Sequence, residues 1–193
     1  MPNHQPGVIV LCGGTSRRLA GLDKTRESLA GTTVMDHLLN ALPSSWDVVC
    51  VGEERATTRT VRWCRETPAY GGPVAGIAAG LDHLGRLGTE ICVVVGGDMP
   101  FAAPAVPALV DLLNVRPALE AVLAMDPGGR WQPLLAAYRC GELRGALPRE
   151  PAGARLMAVV KALVTGTLAC EAQVTLDVDT PEAMERARHI VRV

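Results

Sequence analysis

Residues 7–24 read GVIVLCGGTSRRLAGLDK, and the order of residue types in this stretch decides the fold class. A short β-branched run, GVIVLC, is followed at once by Gly13 and Gly14, then by Arg17, Arg18, Gly21 and Lys24. A brief apolar run bounded by glycines predicts a strand buried on both faces. Paired glycines behind such a strand let backbone N–H groups approach a ligand without side-chain obstruction. Arg17, Arg18 and Lys24 add charge-assisted donors matched to phosphate oxygens. The stretch is not a Walker A loop, because no Gly-Lys-Ser/Thr closes it. It is not the dinucleotide fingerprint either, because its third glycine falls too late. A solvated basic turn is the alternative; three cations beside paired glycines at a strand's carboxyl end favour phosphate binding.

Outward from this stretch, strand and helix signals alternate. WDVVCVG (46–52) and EICVVV (90–95) are further buried runs, and TVRWC (60–64) is a short, edge-like one. TVMDHLLNAL (33–42) carries Val34, Leu38, Leu39 and Leu42 at helical spacing, and helices are predicted over 73–87 and 104–114. Strands near 120–125 and 131–139 and helices near 153–164 and 181–191 complete the pass. Runs apolar on both faces, separated by helices, predict an α/β three-layer sandwich with a mostly parallel sheet between helix layers. In such sheets ligands bind outside the carboxyl ends of the strands. The loops after residues 12, 52 and 95 therefore share one mouth. GALPREPAGARL (145–156) is punctuated by Pro and Gly and reads as a loop. No linker or repeat appears, so residues 1–193 are read as one domain.

Composition narrows the function classes. The 193 residues suit one domain, and 48% hydrophobic content is ordinary for a globular chain. Nineteen Lys+Arg against twenty Asp+Glu give a formal charge of −1, which argues against a broad nucleic-acid surface but leaves room for a local basic pocket. The six cysteines have no metal-type spacing, so free thiols in a reducing cytoplasm are expected. The opening MPNHQPG lacks the charged-then-apolar signal pattern, and no apolar segment reaches membrane-spanning length.

Two more segments carry chemistry. In GGPVAGIAAGL (71–81), Pro73 fits a first helical position after a glycine turn, so free N–H groups there face any anion. Gly72 is the stronger ligand candidate; Gly76 and Gly80 serve either ligand approach or tight helix packing. In VVVGGDMPF (93–101), Asp98 directly follows a buried strand and reads as an exposed acid at the mouth. Its expected task is to hold magnesium, which takes one or two carboxylates plus substrate phosphate oxygens. TLDVDTPEAM (175–184) offers Asp177 and Asp179 ahead of a helix capped by Thr180. One of the two is then a turn residue, and the other is a candidate to complete the metal site. Trp131 and Gln132 open a strand and read as a ring contact or a strand end.

With these segments quoted, the chain resembles the molybdenum cofactor guanylyltransferase family, within the wider sugar-nucleotide and pterin nucleotidyltransferases. LCGGTSRRLAGLDK, GPVAGI, GDMPF and DVDTPE match its motifs in order from residue 8 to residue 188. The resemblance implies a Rossmann-like nucleotidyltransferase sheet and the transfer of GMP from GTP to the phosphate of molybdopterin, with release of pyrophosphate. It implies that the backbone around Leu11, Cys12, Gly13 and Gly14 holds the guanine nucleotide, with Lys24 on its phosphates and Gly52 and Glu66 beside it. Asp98 would bind Mg2+, assisted by Asp177 or Asp179. Arg18, Gly21, Gly72, Gly76 and Arg155 would lie toward the pterin phosphate, and Lys24, Asp98 and Arg18 would carry catalysis. The chain departs from the usual motifs at Cys12 (usually Ala) and Leu19 (usually Met). It also has Gly52 where many members have Asn, and Glu66 where many have Asp; both bear on base choice. GTP and molybdopterin are the implied partners, with transient contact to molybdopterin-delivering or molybdoenzyme proteins. CTP, another phosphorylated acceptor, or a non-catalytic nucleotide-binding regulator are the alternatives. Asp98 and Lys24 together argue against the last, since binding alone does not require both.

Overall fold

The structure is a computed structural model and describes residues 5–12 and 24–192. Gly13, Gly14, Arg17, Arg18 and Gly21 lie outside the described residues, as does the side chain of Lys24, which opens a single 3-10 turn, Lys24–Arg26.

Seven strands form the main sheet: β1 (Gly7–Leu11), β4 (Asp47–Val51), β5 (Arg62–Cys64), β6 (Ile91–Gly96), β7 (Ala121–Met125), β8 (Trp131–Arg139) and β9 (Thr165–Ala169). A two-stranded hairpin, β2 (Ser28–Leu29) with β3 (Thr32–Thr33), lies apart. The order across the sheet is β5-β4-β1-β6-β8-β7-β9. Every pair is parallel except the two made by β8, which runs against β6 and β7. The reversal comes from the short turn between β7 and β8. There Asp126 Oδ1 accepts from the amides of Gly128 (2.9 Å) and Arg130 (3.0 Å), and Gly129 takes φ +77°.

Side-chain alternation divides the core. Val8 and Val10 of β1, with Val93 and Val95 of β6, pack toward α1 (Val34–Ala41) and α3 (Ala105–Val115). Ile9, Cys92 and Val94 face the opposite layer, α2 (Pro73–Gly85), α4 (Cys140–Ala146) and α5 (Leu156–Lys161). All seven of these strand residues are fully buried, which is why the runs read as continuously apolar. A third, smaller cluster joins α6 (Pro181–Ile190) to Leu29, Val34 and Val178. The expected α/β sandwich with a mostly parallel sheet is the fold observed.

Two local expectations are corrected. The helix predicted near 153–164 is shorter, Leu156–Lys161, and the chain then enters β9, a half-exposed edge strand whose TGTLA carries little apolar signal. The segment read as a loop from 145 begins inside α4, a seven-residue helix that buries only Leu143. No helix among the described residues is long and apolar enough to cross a membrane.

Candidate functional site

Because β1, β4, β5 and β6 are mutually parallel, their carboxyl ends lie along one edge. Backbone hydrogen bonds tie the loops together just beyond that edge. Cys12 N donates to Val51 O, Gly52 N to Cys64 O, and Gly97 N to Leu11 O, each at 2.9 Å. Above them opens a cleft of about 370 Å³. Leu11, Val51 and Gly96 supply its sheet side, Gly72, Pro73 and Gly76 the start of α2, and Leu134 of β8 a further wall. Glu66, Tyr70 and Asp98 complete it. Five residues predicted for the site, Leu11, Glu66, Gly72, Gly76 and Asp98, thus line one cavity.

Asp98 is half-buried, more covered than an acid standing freely at the mouth. A Cβ at Gly96 would lie 2.6 Å from Asp98 Oδ1, so the carboxylate folds back over the last residue of β6. Its own carbonyl accepts from Val178 N at 2.8 Å, which docks the DVDTPE segment against the loop. Asp177 is exposed and Asp179 half-buried. Neither lines the cleft, and both adjoin the residue bonded to Asp98. Thr180 caps α6 as expected, its Oγ1 accepting from Ala183 N at 3.2 Å. Among the described residues no three His, Cys, Asp or Glu are grouped to hold a metal ion by themselves.

The start of α2 is built for close approach. Gly72 sits at φ 88°, ψ 178° as the N-cap without a side-chain capping bond, and Pro73 follows as the first helical residue. A positive φ suits glycine, and the uncapped start of α2, with its positive dipole end, borders the cleft through Gly72 and Pro73. Gly80 answers to packing instead: a Cβ there would meet Ile9 Cγ2 at 2.6 Å. Gly76 serves both uses, lining the cavity while leaving 3.0 Å between its would-be Cβ and Leu11 Cδ2.

Cys12 and Gly52 stand beside the cleft rather than on its wall. The Cys12 thiol points to the other layer, 3.3 Å from Met35 Sδ and 3.4 Å from Val10 O, so only its backbone is turned to the strand-end edge. Cys64 is half-buried, and burial first, then the charge of Glu66, pushes its thiol up to about 11. It is a neutral group at physiological pH. Arg155 is exposed at the N-cap of α5. Its loop is fastened to the α2 turn by Gly153 N donating to Gly71 O at 2.7 Å. Trp131 is exposed at the first residue of β8, at the same end of the sheet as Leu134, and Gln132 Nε2 donates to Asp126 Oδ2 at 3.4 Å.

Tyr70 is a cleft residue that the sequence reading passed over. It has φ +63°, its amide donates to Glu66 Oε1 at 2.9 Å, and Arg65 lies over its ring, 5.2 Å from the centroid. Glu66 itself is buried. The only signal in the sequence is an aromatic residue placed directly before Gly71–Gly72. A larger apolar groove, about 700 Å³, runs between residues 171–176 and the distal half of α6, sharing no residue with the strand ends.

Residues 8–167 match the MobA-like NTP transferase domain. The chain belongs to that family. A probable molybdenum cofactor guanylyltransferase from Natronomonas pharaonis is 30% identical over 203 residues, covering 96% of this chain and 97% of the relative. The crystal structure of molybdopterin-guanine dinucleotide biosynthesis protein A from Archaeoglobus fulgidus superposes with a TM-score of 0.72 at 23% identity, covering 96% and 98% of the two chains. A manganese complex of Rv0371c from Mycobacterium tuberculosis superposes at 0.68 with 19% identity, covering 96% and 98%. As a MobA-like chain, the protein is a nucleotidyltransferase, and the resemblance carried by its four motifs is met.

Proposed function

We propose that this MobA-like protein is a molybdenum cofactor guanylyltransferase, a single-domain enzyme that transfers GMP from GTP to the phosphate of molybdopterin and releases pyrophosphate. The observation carrying this reading is the cleft at the strand ends, where Asp98 and Glu66 meet the uncapped start of α2. The 30% identical relative named as a probable molybdenum cofactor guanylyltransferase supports the choice of substrates. The six free cysteines favour a reducing cytoplasm as its place of work.

The reaction brings two anions together, so the chain's task is alignment and charge neutralisation. The backbone around Leu11, Cys12, Gly13 and Gly14 holds the nucleotide, with Gly52 and Glu66 beside it and Lys24 on its phosphates. Arg18, Gly21, Gly72, Gly76 and Arg155 receive the pterin phosphate, with α2 amides as donors and its dipole as a fixed positive field. The acceptor phosphate is itself the nucleophile, so no side chain forms a covalent bond.

A divalent ion fits the donor set. Asp98 offers hard oxygens on the cleft wall, and magnesium fills the rest of its shell with substrate phosphates and water. Asp98, with Asp177 or Asp179, would hold it. When bound, it supplies Lewis-acid neutralisation of the phosphate charge. The manganese complex of a protein with the same fold supports a divalent ion here.

Magnesium-dependent pyrophosphate release, measured with each NTP and with or without molybdopterin, tests the reading. GTP with molybdopterin is expected to outrun every other combination. Asp98→Ala should keep its circular dichroism spectrum and lose roughly 10²–10³ in rate. Equal turnover with CTP, or wild-type rates in Asp98→Ala, defeats the proposal.

A further inference from the structure

Tyr70 is a bulky side chain held in the left-handed region, at φ +63°. A non-glycine residue with a large side chain is rarely found there, and residues so held concentrate at ligand sites. Its surroundings hold it in place. The Tyr70 amide is bonded to the buried Glu66 carboxylate. Gly71 N donates to Pro68 O at 3.1 Å, and Gly71 O accepts from Gly153 N. The residue is 63% exposed, on the wall of the cleft, with the Arg65 guanidinium against its ring. In a chain with only six aromatic residues (one Phe, two Tyr, three Trp), whose other tyrosine, Tyr138, is fully buried, an aromatic held at such backbone cost with Arg65 over its ring still turns much of its surface to the cleft.

We propose that Tyr70 is the stacking platform for the planar ring of the acceptor, and so a specificity-determining residue of the transfer reaction. This rests on the guanylyltransferase reading and names the substrate half that the ring serves. Two planar groups would enter the cleft, the purine of the nucleotide and the pterin of the acceptor. Tyr70 belongs with the second, because Gly72 and Pro73 at the anion-binding start of α2 follow it directly. The Arg155 loop is also bonded to the intervening Gly71. The nucleotide is assigned to the end of β1 instead. Glu66 links the two halves: one carboxylate oxygen holds Tyr70, leaving the other for the nucleotide. A stacked heterocycle gains dispersion and quadrupole attraction with little side-chain entropy lost, since the ring is already fixed.

Three variants, Tyr70→Phe, Tyr70→Ala and Tyr70→Gly, test this on the full-length protein. Steady-state pyrophosphate release gives separate KM values for GTP and molybdopterin, and quenching of the intrinsic fluorescence of a phosphorylated pterin gives acceptor binding without turnover. Tyr70→Phe keeps the ring and is expected to retain pterin quenching, with an acceptor KM far closer to the wild type's than that of Tyr70→Ala. Tyr70→Ala should raise the acceptor KM about ten-fold, abolish pterin quenching and leave the GTP KM unchanged. Tyr70→Gly should lose the acceptor equally while its Tm does not fall, because glycine relieves the left-handed backbone; a merely structural tyrosine would show the opposite pattern. A rise in the GTP KM alone, or an unchanged acceptor KM in Tyr70→Ala with normal wild-type transfer, overturns the platform and spares the guanylyltransferase reading. Tyr70-dependent pterin quenching in a protein that transfers no GMP overturns that reading and supports the platform.

Discussion

The Asp126 carboxylate accepts from the amides of Gly128 and Arg130 through Oδ1, and from Arg130 Nε at 2.8 Å through Oδ2. The Arg130 amide is the chief influence holding its pKa below the usual carboxylate value, with the Arg130 side chain adding to it. A depressed folded-state pKa means that the stabilisation is complete above the unfolded value. It is then lost as pH falls through the folded one. The stability advantage of the wild type over Asp126→Asn should therefore hold from neutrality down to about pH 4 and shrink below it, as read by urea denaturation across pH. Cys64 behaves differently. Its thiol is raised to about 11, so Cys64→Ser should leave the rate of pyrophosphate release unchanged at neutral pH. At this scale, chemistry set by chain position was legible in the sequence: Asp98 follows a buried strand, and Thr180 precedes a helical proline. Tyr70 was not legible, because its left-handed backbone depends on Glu66 and on the Gly71–Gly153 bond, both contacts made through the fold.

Helix α2 lies closely on the sheet because Gly80 has no side chain: the missing Cβ would stand 2.6 Å from Ile9 Cγ2 and 3.0 Å from Ile9 Cδ1. Ile9 is a fully buried strand residue with no room to withdraw. Gly80→Ala should lower stability by about 1–3 kcal/mol, beyond the roughly 1 kcal/mol that alanine contributes to helix propensity; the urea midpoint would register the loss. Gly76→Ala, meeting the tip of Leu11 at 3.0 Å, should cost less. The end of α1 depends on a distant side chain. Arg59 donates to the carbonyls of Leu39, Leu42, Pro43 and Trp46 at 2.8–3.1 Å, satisfying the orphan groups of a helix that has no basic residue in its last turn. Arg59→Ala should cost about 2 kcal/mol, seen as a lower Tm. Elements apolar on both faces, such as β1 and β6, announced themselves in the sequence. β9 did not, since its TGTLA lies half-exposed at the sheet edge. Nor did α4, whose Gly141 and Gly145 oppose helix propensity and whose Arg144 reaches Asp82 of α2.

Across the whole molecule, three segments far apart in the sequence, those of Leu11, Asp98 and Val178, converge at one sheet edge. Parallel strands account for two of them, since β1 and β6 are neighbours in register, Leu11 opposite Gly96. The third arrives by the Val178–Asp98 backbone bond, with Val178 fully buried against Leu29 and Val34. The family's motif order made this convergence readable before any coordinates. The inserted antiparallel β8, which separates β6 from β7, was readable only as one more strand, because direction is set by the turn at Asp126. Thr180→Ala should remove about 1 kcal/mol through the lost cap of α6, measured by thermal denaturation.

The bond from Val178 to the carbonyl of Asp98 has a consequence for biogenesis. A chain still on the ribosome can pair β1, β4 and β6 while the segment that steadies the Asp98 loop is yet to be translated. The Asp98 loop then settles late, once Val178 has emerged, and a nascent chain cut short ahead of that residue would keep its paired strands without a steadied acid.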